Sequence, residues 1–129
     1  MLSLNKVHHI AIICSDYERS KKFYTKVLEL EILKETYREA RNSFKLDLAL
    51  NGEYIIELFS FPNPPARTSR PEAMGLRHLA FEVEDIHLAV KALQQKGVET
   101  EPIRTDRHTN KQFTFFADPD DLPIEIYER

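Results

Sequence analysis

The sequence predicts an α+β fold in which one βαβββ module is used twice. Three observations predict it. The stretch VHHIAIICSD at residues 7–16 returns as RHLAFEVED at 77–85, so that His9, Ala11 and Asp16 match His78, Ala80 and Asp85 at a common offset of 69 residues. Each half then closes on one signature, Ile56-Glu57-Leu58 and Ile124-Glu125-Ile126. Between opening and closing lie one helical pattern and further strand-like runs. A period this long is too large for a solenoid unit and implies a duplicated module.

Taken in order, residues 7–14 read as a buried strand. Ser15 or Asp16 then caps a helix. Ser15-x-x-Glu18 matches the capping box, in which two side chains satisfy otherwise orphaned amides. The packed face of that helix is Tyr17, Ser20, Phe23, Tyr24, Val27 and Leu28. Strands follow over 32–38 and 44–50. Asn51-Gly52 signals a two-residue hairpin, because a type I′ turn needs two residues at positive φ, and 53–59 is the return strand. Residues 61–75 hold four of the seven prolines together with Arg67 and Arg70, the composition of an irregular, semi-rigid linker.

The second half repeats the order. A strand is expected over 76–83. Asp85 caps a helix with apolar face Ile86, Ala89, Val90 and Leu93, and Gly97 supplies its left-handed end. A short strand over 98–100, a polar loop over 104–111, a strand over 113–116, a turn at 118–121 and a last strand over 123–127 complete the module. The expected organisation is a single domain, 1–129, of two modules, 1–62 and 76–129, joined by a proline-rich linker over 63–75.

Composition narrows the function. The chain has 129 residues, 42% of them hydrophobic, and a net charge of −3 with both signs mixed. That is one folded domain with no electrostatic case for nucleic acid. No apolar run approaches membrane-spanning length. The N-terminus lacks a secretory apolar region, and the single cysteine, Cys14, excludes an internal disulfide. A cytoplasmic protein is expected, with Cys14 packed as a small apolar residue. The three glycines form no phosphate-cradling loop, so no nucleotide cofactor is implied.

The chemistry is expected at His9, Glu57, His78 and Glu125. On strands, side chains alternate faces, so each of these four points away from an apolar neighbour pair. A lone strand histidine or glutamate is ordinarily a surface residue. Four at equivalent places in a duplicated module point instead to one shared metal site. Two imidazoles and two carboxylates suit one divalent ion per site, such as nickel, zinc, cobalt, manganese or iron, with open positions for a small-molecule substrate. His8 is the weaker neighbour, because Arg77 stands at its counterpart. His87 on a helix and His108 in a loop read as solvated, as do Glu53, Glu82 and Glu128.

With these residues the chain resembles the vicinal oxygen chelate superfamily, and its glyoxalase I (lactoylglutathione lyase) branch in particular. The resemblance spans nearly the whole chain. It rests on His9-x-Ala-Ile with Asp16 and Phe23-Tyr24, Ile-Glu57-Leu, His78-Leu-Ala-Phe, and Asp118-Pro-Asp-x-x-x-Ile-Glu125. It implies a curved mixed sheet of the glyoxalase and dihydroxybiphenyl dioxygenase kind. It also implies a homodimer in which His9 and Glu57 of one chain meet His78 and Glu125 of the other. The implied reaction is enediolate stabilisation by a metal, nickel, zinc or cobalt foremost, with Glu125 as base and Glu57 its counterpart. Alternatives within the superfamily are an iron-dependent ring-cleaving dioxygenase and a non-catalytic drug- or metabolite-binding module. Glutathione-using relatives carry Arg and Asn where Ile13 and Phe61 stand, so a substrate other than glutathione hemithioacetal is expected. Arg104, Arg107 and Lys111, with Arg38 and Arg41, are candidate replacement anchors. Glu29 stands where a glycine often ends the first helix, so that end must close differently.

Overall fold

A computed structural model describes residues 1–129. The chain divides into two compact units, Met1–Pro65 and Ala66–Arg129. Each is a βαβββ module with its own four-stranded mixed sheet.

In the first unit β1 (Ile10–Cys14), α1 (Tyr17–Lys22), β2 (Glu31–Arg38), β3 (Ser43–Leu50) and β4 (Glu53–Ser60) follow one another. The strands lie in the order β1-β4-β3-β2, with β1 parallel to β4 and the other pairs antiparallel. Alternation decides what is inside. Ile12 and Cys14, Leu46 and Leu48, and Ile56 and Leu58 are buried on one face of the sheet. α1 packs against β4. Tyr17, Ser20, Phe23 and Tyr24 are buried, as the helical spacing requires. The hairpin turn is as expected, with φ of +50° at Asn51 and +81° at Gly52.

Two local expectations are corrected here. The cap of α1 is Asp16, whose Oδ1 accepts from the Arg19 amide at 3.2 Å. Starting one residue after Ser15 puts Arg19 rather than Glu18 at the third helical position, so no capping box forms. The helix also does not run on as α. Phe23–Val27 is a π-helical turn. Its end closes with the Leu28 amide on the Phe23 carbonyl at 3.1 Å and the Leu30 amide on that of Tyr24 at 3.0 Å. Glu29 itself takes the left-handed conformation, φ +59°, that a glycine would otherwise supply.

In the second unit β5 (Leu79–Val83), α2 (Ile86–Gln95), β6 (Arg104–Thr105), β7 (Gln112–Ala117) and β8 (Pro123–Glu128) give the order β5-β8-β7-β6, again with only the first pair parallel. α2 lies on β8 and β7 and buries Ile86 and Leu93. Asp85 caps it, accepting from the amides of His87 at 2.9 Å and Leu88 at 3.1 Å. Glu128, expected in solvent, takes the Ile86 amide at 3.1 Å and so satisfies another orphan of the helix start.

The expected strand over 98–100 does not form. The Val98 amide is committed to the helix end, bonding the Leu93 carbonyl at 3.0 Å, while that of Gly97 (φ +78°) bonds Gln94. This is the Schellman closure, and it leaves Val98 no ladder to join. The short edge strand lies later, at β6, inside the stretch read as a loop. No helix or strand occurs between β4 and β5. There Ser69 is buried, and its hydroxyl donates to the Asp121 carbonyl at 2.6 Å.

Candidate functional site

Sheet register places the four singled-out residues. In the first unit Ala11 pairs with Glu57 across the parallel ladder. In the second, Ala80 pairs with Glu125. His9 and His78 each stand two residues before that alanine, just ahead of their strands, and share its face. The small alanine leaves the imidazole room beside the carboxylate. His9 Nε2 lies 3.7 Å from Glu57 Oε1 and His78 Nε2 lies 3.5 Å from Glu125 Oε1. Both carboxylates are mostly covered, with side chains 15% and 14% exposed.

Orientation of each ring is also repeated. The preceding residue reaches Nδ1 in both units: His8 Nδ1 is 2.8 Å from His9 Nδ1, and Arg77 Nη1 is 3.5 Å from His78 Nδ1. Nε2 faces the carboxylate in each case. His8 and Arg77 thus stand at matching places in the repeat, each beside the Nδ1 of the following histidine.

The surroundings of the two pairs differ. Glu57 is held from several sides. Lys45 Nζ is 3.4 Å from its Oε2, and the Tyr54 hydroxyl stands between Asp47 Oδ1 at 3.0 Å and Glu57 Oε2 at 3.3 Å. Asp47 pairs directly with Glu57 in the antiparallel register. Two adjacent carboxylates repel, and Lys45, which also bonds both Asp47 oxygens at 3.1 and 3.2 Å, offsets this. Asp47 first, then Glu57, raises the Lys45 ammonium above its ordinary range, against the opposing effect of burial. The His9 ring stacks on Tyr54 with centroids 5.1 Å apart. In the second unit the residue opposite Glu125 is Phe115, which meets the His78 ring edge-on at 5.0 Å.

Lys45, Asp47 and Tyr54 were not expected at the site. Their signal was present in β3, where Lys45 and Asp47 alternate with buried Leu46 and Leu48 and so share the face of Glu57. Burial and the Asp47 contact push the Tyr54 phenol well above its ordinary value. Burial and the hydrogen bond to Glu35 do the same for Tyr17. An unfolded chain releases both protons near pH 10, whereas the folded chain keeps them. Stability is therefore expected to fall as pH climbs above about 10. In an ultraviolet phenolate titration, Tyr54→Phe is expected to remove part of the late-titrating absorbance; an unchanged curve would contradict the assignment.

Of the candidate anchors, Arg104 lines a cavity beside His78. Arg107 does not line it, and Lys111 is bonded to the backbone oxygen of Arg129 at 2.7 Å. Arg38 and Arg41 lie over the Phe61 ring at 5.7 and 5.5 Å. His87 and His108 are exposed, as expected. No three of the chain's His, Cys, Asp and Glu side chains form a group able to hold a metal ion; each unit brings one histidine and one glutamate together. No helix is long and apolar enough to cross a membrane.

Comparison with known proteins follows the same outline. A family model described as Glyoxalase/Bleomycin resistance protein/Dioxygenase superfamily matches residues 6–126. The uncharacterized protein YwkD of Bacillus subtilis (strain 168) is 64% identical over 126 residues, covering 98% of each chain. A crystal structure of a glyoxalase family protein from Enterococcus faecalis superposes with a TM-score of 0.89 at 48% identity, covering 95% of this chain and 97% of that one. Lactoylglutathione lyase of Schizosaccharomyces pombe is 29% identical over 147 residues, covering 97% of this chain and 48% of that protein.

Proposed function

Because the chain belongs to the Glyoxalase/Bleomycin resistance protein/Dioxygenase superfamily, we propose that it is a metal-dependent lyase or isomerase of the glyoxalase I type. Its substrate is a small molecule with two adjacent oxygens. One observation carries the reading: the His–Glu pair occurs twice, in the same register, at 3.7 and 3.5 Å. An incidental surface contact has no reason to recur at equivalent places in both modules.

The donor set fits a cation. In each unit one imidazole nitrogen and one carboxylate oxygen lie side by side, at 3.7 and 3.5 Å, and borderline divalent metals accept both donor types. His9, Glu57, His78 and Glu125 would hold one divalent ion per site, with nickel, zinc or cobalt ahead of manganese or iron. In this reading the protein is a cytoplasmic homodimer, and the pair of one copy is completed by the other pair of a second copy.

When bound, the cation supplies Lewis-acid polarisation of the two substrate oxygens, which makes the neighbouring carbon-bound proton acidic. Glu125 takes that proton from one carbon and delivers it to the next. Its surroundings favour this role over Glu57. A base that serves two carbons must move, and Glu57 is tied to Lys45 and Tyr54, whereas Glu125 faces His78 and an aromatic ring. Ile13 is exposed and Phe61 lies under two guanidinium groups. The residues at these two positions are themselves apolar, which supports a substrate other than glutathione hemithioacetal, while Arg38 and Arg41 beside Phe61 offer anchors of a different placement.

Elemental analysis of protein purified without chelator or affinity-tag metal tests the reading. About one nickel, cobalt, zinc, manganese or iron per chain is the expected result. Nickel, cobalt or zinc directs the screen to methylglyoxal with and without thiols; iron directs it to catechols. A metal-free protein that takes up none on titration would overturn the proposal.

A further inference from the structure

We propose that the second unit carries an anion site beside His78, built by Arg77 and Arg104, for a carboxylate or phosphate-type group on a compact ligand. It deepens the reading above, resting on it only for calling that ligand a substrate; anion binding itself stands on the unit's own geometry.

A cavity of about 210 Å³ opens next to His78, and Arg67, Arg70, Arg77 and Arg104 line it against two carboxylates, Glu72 and Glu101. That leaves a surplus of two positive charges facing one space. The four arginines are not equivalent. Arg67 is structural: its Nε donates to Ser69 Oγ at 2.7 Å and its Nη2 to the Leu76 carbonyl at 3.1 Å. Arg70 reaches the carboxylate of Asp121 at 3.2 and 3.3 Å.

Arg77 and Arg104 are the available pair. Arg77 has no carboxylate partner, and its guanidinium contact is the 3.5 Å approach to His78 Nδ1. That single contact lies at the outer limit of a hydrogen bond and leaves most of the guanidinium's N–H donors uncommitted where the side chain lines the cavity. Arg104 meets Glu101 at 3.4 Å with both side chains about half exposed, 53% and 49%, a contact of little strength. What else holds it is cation–π attraction: its guanidinium lies 5.1 Å from the Phe113 ring centroid and 5.7 Å from that of Phe115. Such contacts consume none of its N–H donors.

Planar forks of this kind match the paired oxygens of carboxylate and phosphate. The size points the same way. Drug-sized ligands fill pockets of about 300–1,000 Å³, so this cavity suits a small acid. Because His78 is in its wall, the anion would sit one functional group from the reacting centre.

The test uses metal-stripped full-length protein with inorganic phosphate and with malonate, each titrated calorimetrically against a chloride background of matched ionic strength. At least one of the two is expected to bind. Arg77→Gln with Arg104→Gln is expected to weaken it by about 10- to 100-fold, with an unchanged thermal melt because both side chains are exposed. Preference for phosphate marks a phosphorylated ligand, and preference for malonate a carboxylic one. No binding above chloride, or equal affinity in the double variant, would overturn the site. Metal uptake with no anion binding sinks only this inference. Anion binding with no metal uptake sinks only the reading in the preceding section.

Discussion

Glu125→Gln is expected to lower kcat/KM by about three orders of magnitude, roughly 4 kcal/mol of transition-state stabilisation, within the range of a lost general base. Glutamine keeps the shape and one ligand oxygen but cannot accept a proton. The variant is expected to fold and to retain a reduced but measurable metal content. Glu57→Gln is expected to cost far less, about tenfold, and to act through metal affinity, because Glu57 is the carboxylate fixed by Lys45 and Tyr54. The comparison is made at limiting and at saturating metal, on the substrate found by screening: the Glu57→Gln loss is expected to shrink at saturation and the Glu125→Gln loss to persist. Deuterium uptake from D₂O at the substrate carbon serves as a second readout. Equal losses in the two variants would show that the tethering of Glu57 does not decide which carboxylate moves the proton.

Much of this arrangement is legible in the sequence. The offset between His9 and His78, and the Ile-Glu-Leu and Ile-Glu-Ile closings, imply equal positions in equal modules. Strand alternation alone turns Glu57 and Glu125 away from Ile56, Leu58, Ile124 and Ile126, which are all buried. Helix ends are legible wherever a local rule governs them, as at Asp85 and Gly97. What stays hidden depends on contacts distant in sequence. Strand β1 begins at Ile10 rather than at residue 7 because its ladder with β4 begins there. Arg104 and Thr105 become a strand only because Phe113 and Gln112 lie beside them. Lys45, Asp47 and Tyr54 meet Glu57 through the register of β3 on β4. The proline-rich stretch announces irregular backbone but not its path. Ser69 bonding to Asp121 brings Arg67 and Arg70 to the cavity wall, and composition carries no trace of that.

The proposed sharing of sites between two copies predicts complementation between single-ligand variants. His9→Ala and His78→Ala each remove one proposed ligand. Each is expected to weaken metal binding by more than the 10- to 100-fold typical of losing an outer-shell partner, and so to abolish turnover. Co-expressing the two variants is expected to restore part of what each lacks. In a mixed dimer, one site combines His9 of the His78→Ala copy with His78 of the His9→Ala copy and is complete. The other site lacks both imidazoles. With random association about half of the dimers are mixed, so about a quarter of the wild-type metal capacity and activity returns. If both pairs of a site came from a single chain, every site in every dimer would lack one imidazole and nothing would return. Metal content and turnover of the co-expressed mixture, set beside those of each variant alone, therefore separate the two arrangements. A mixture as inert as its components would overturn the shared dimer site while leaving the four ligands in place.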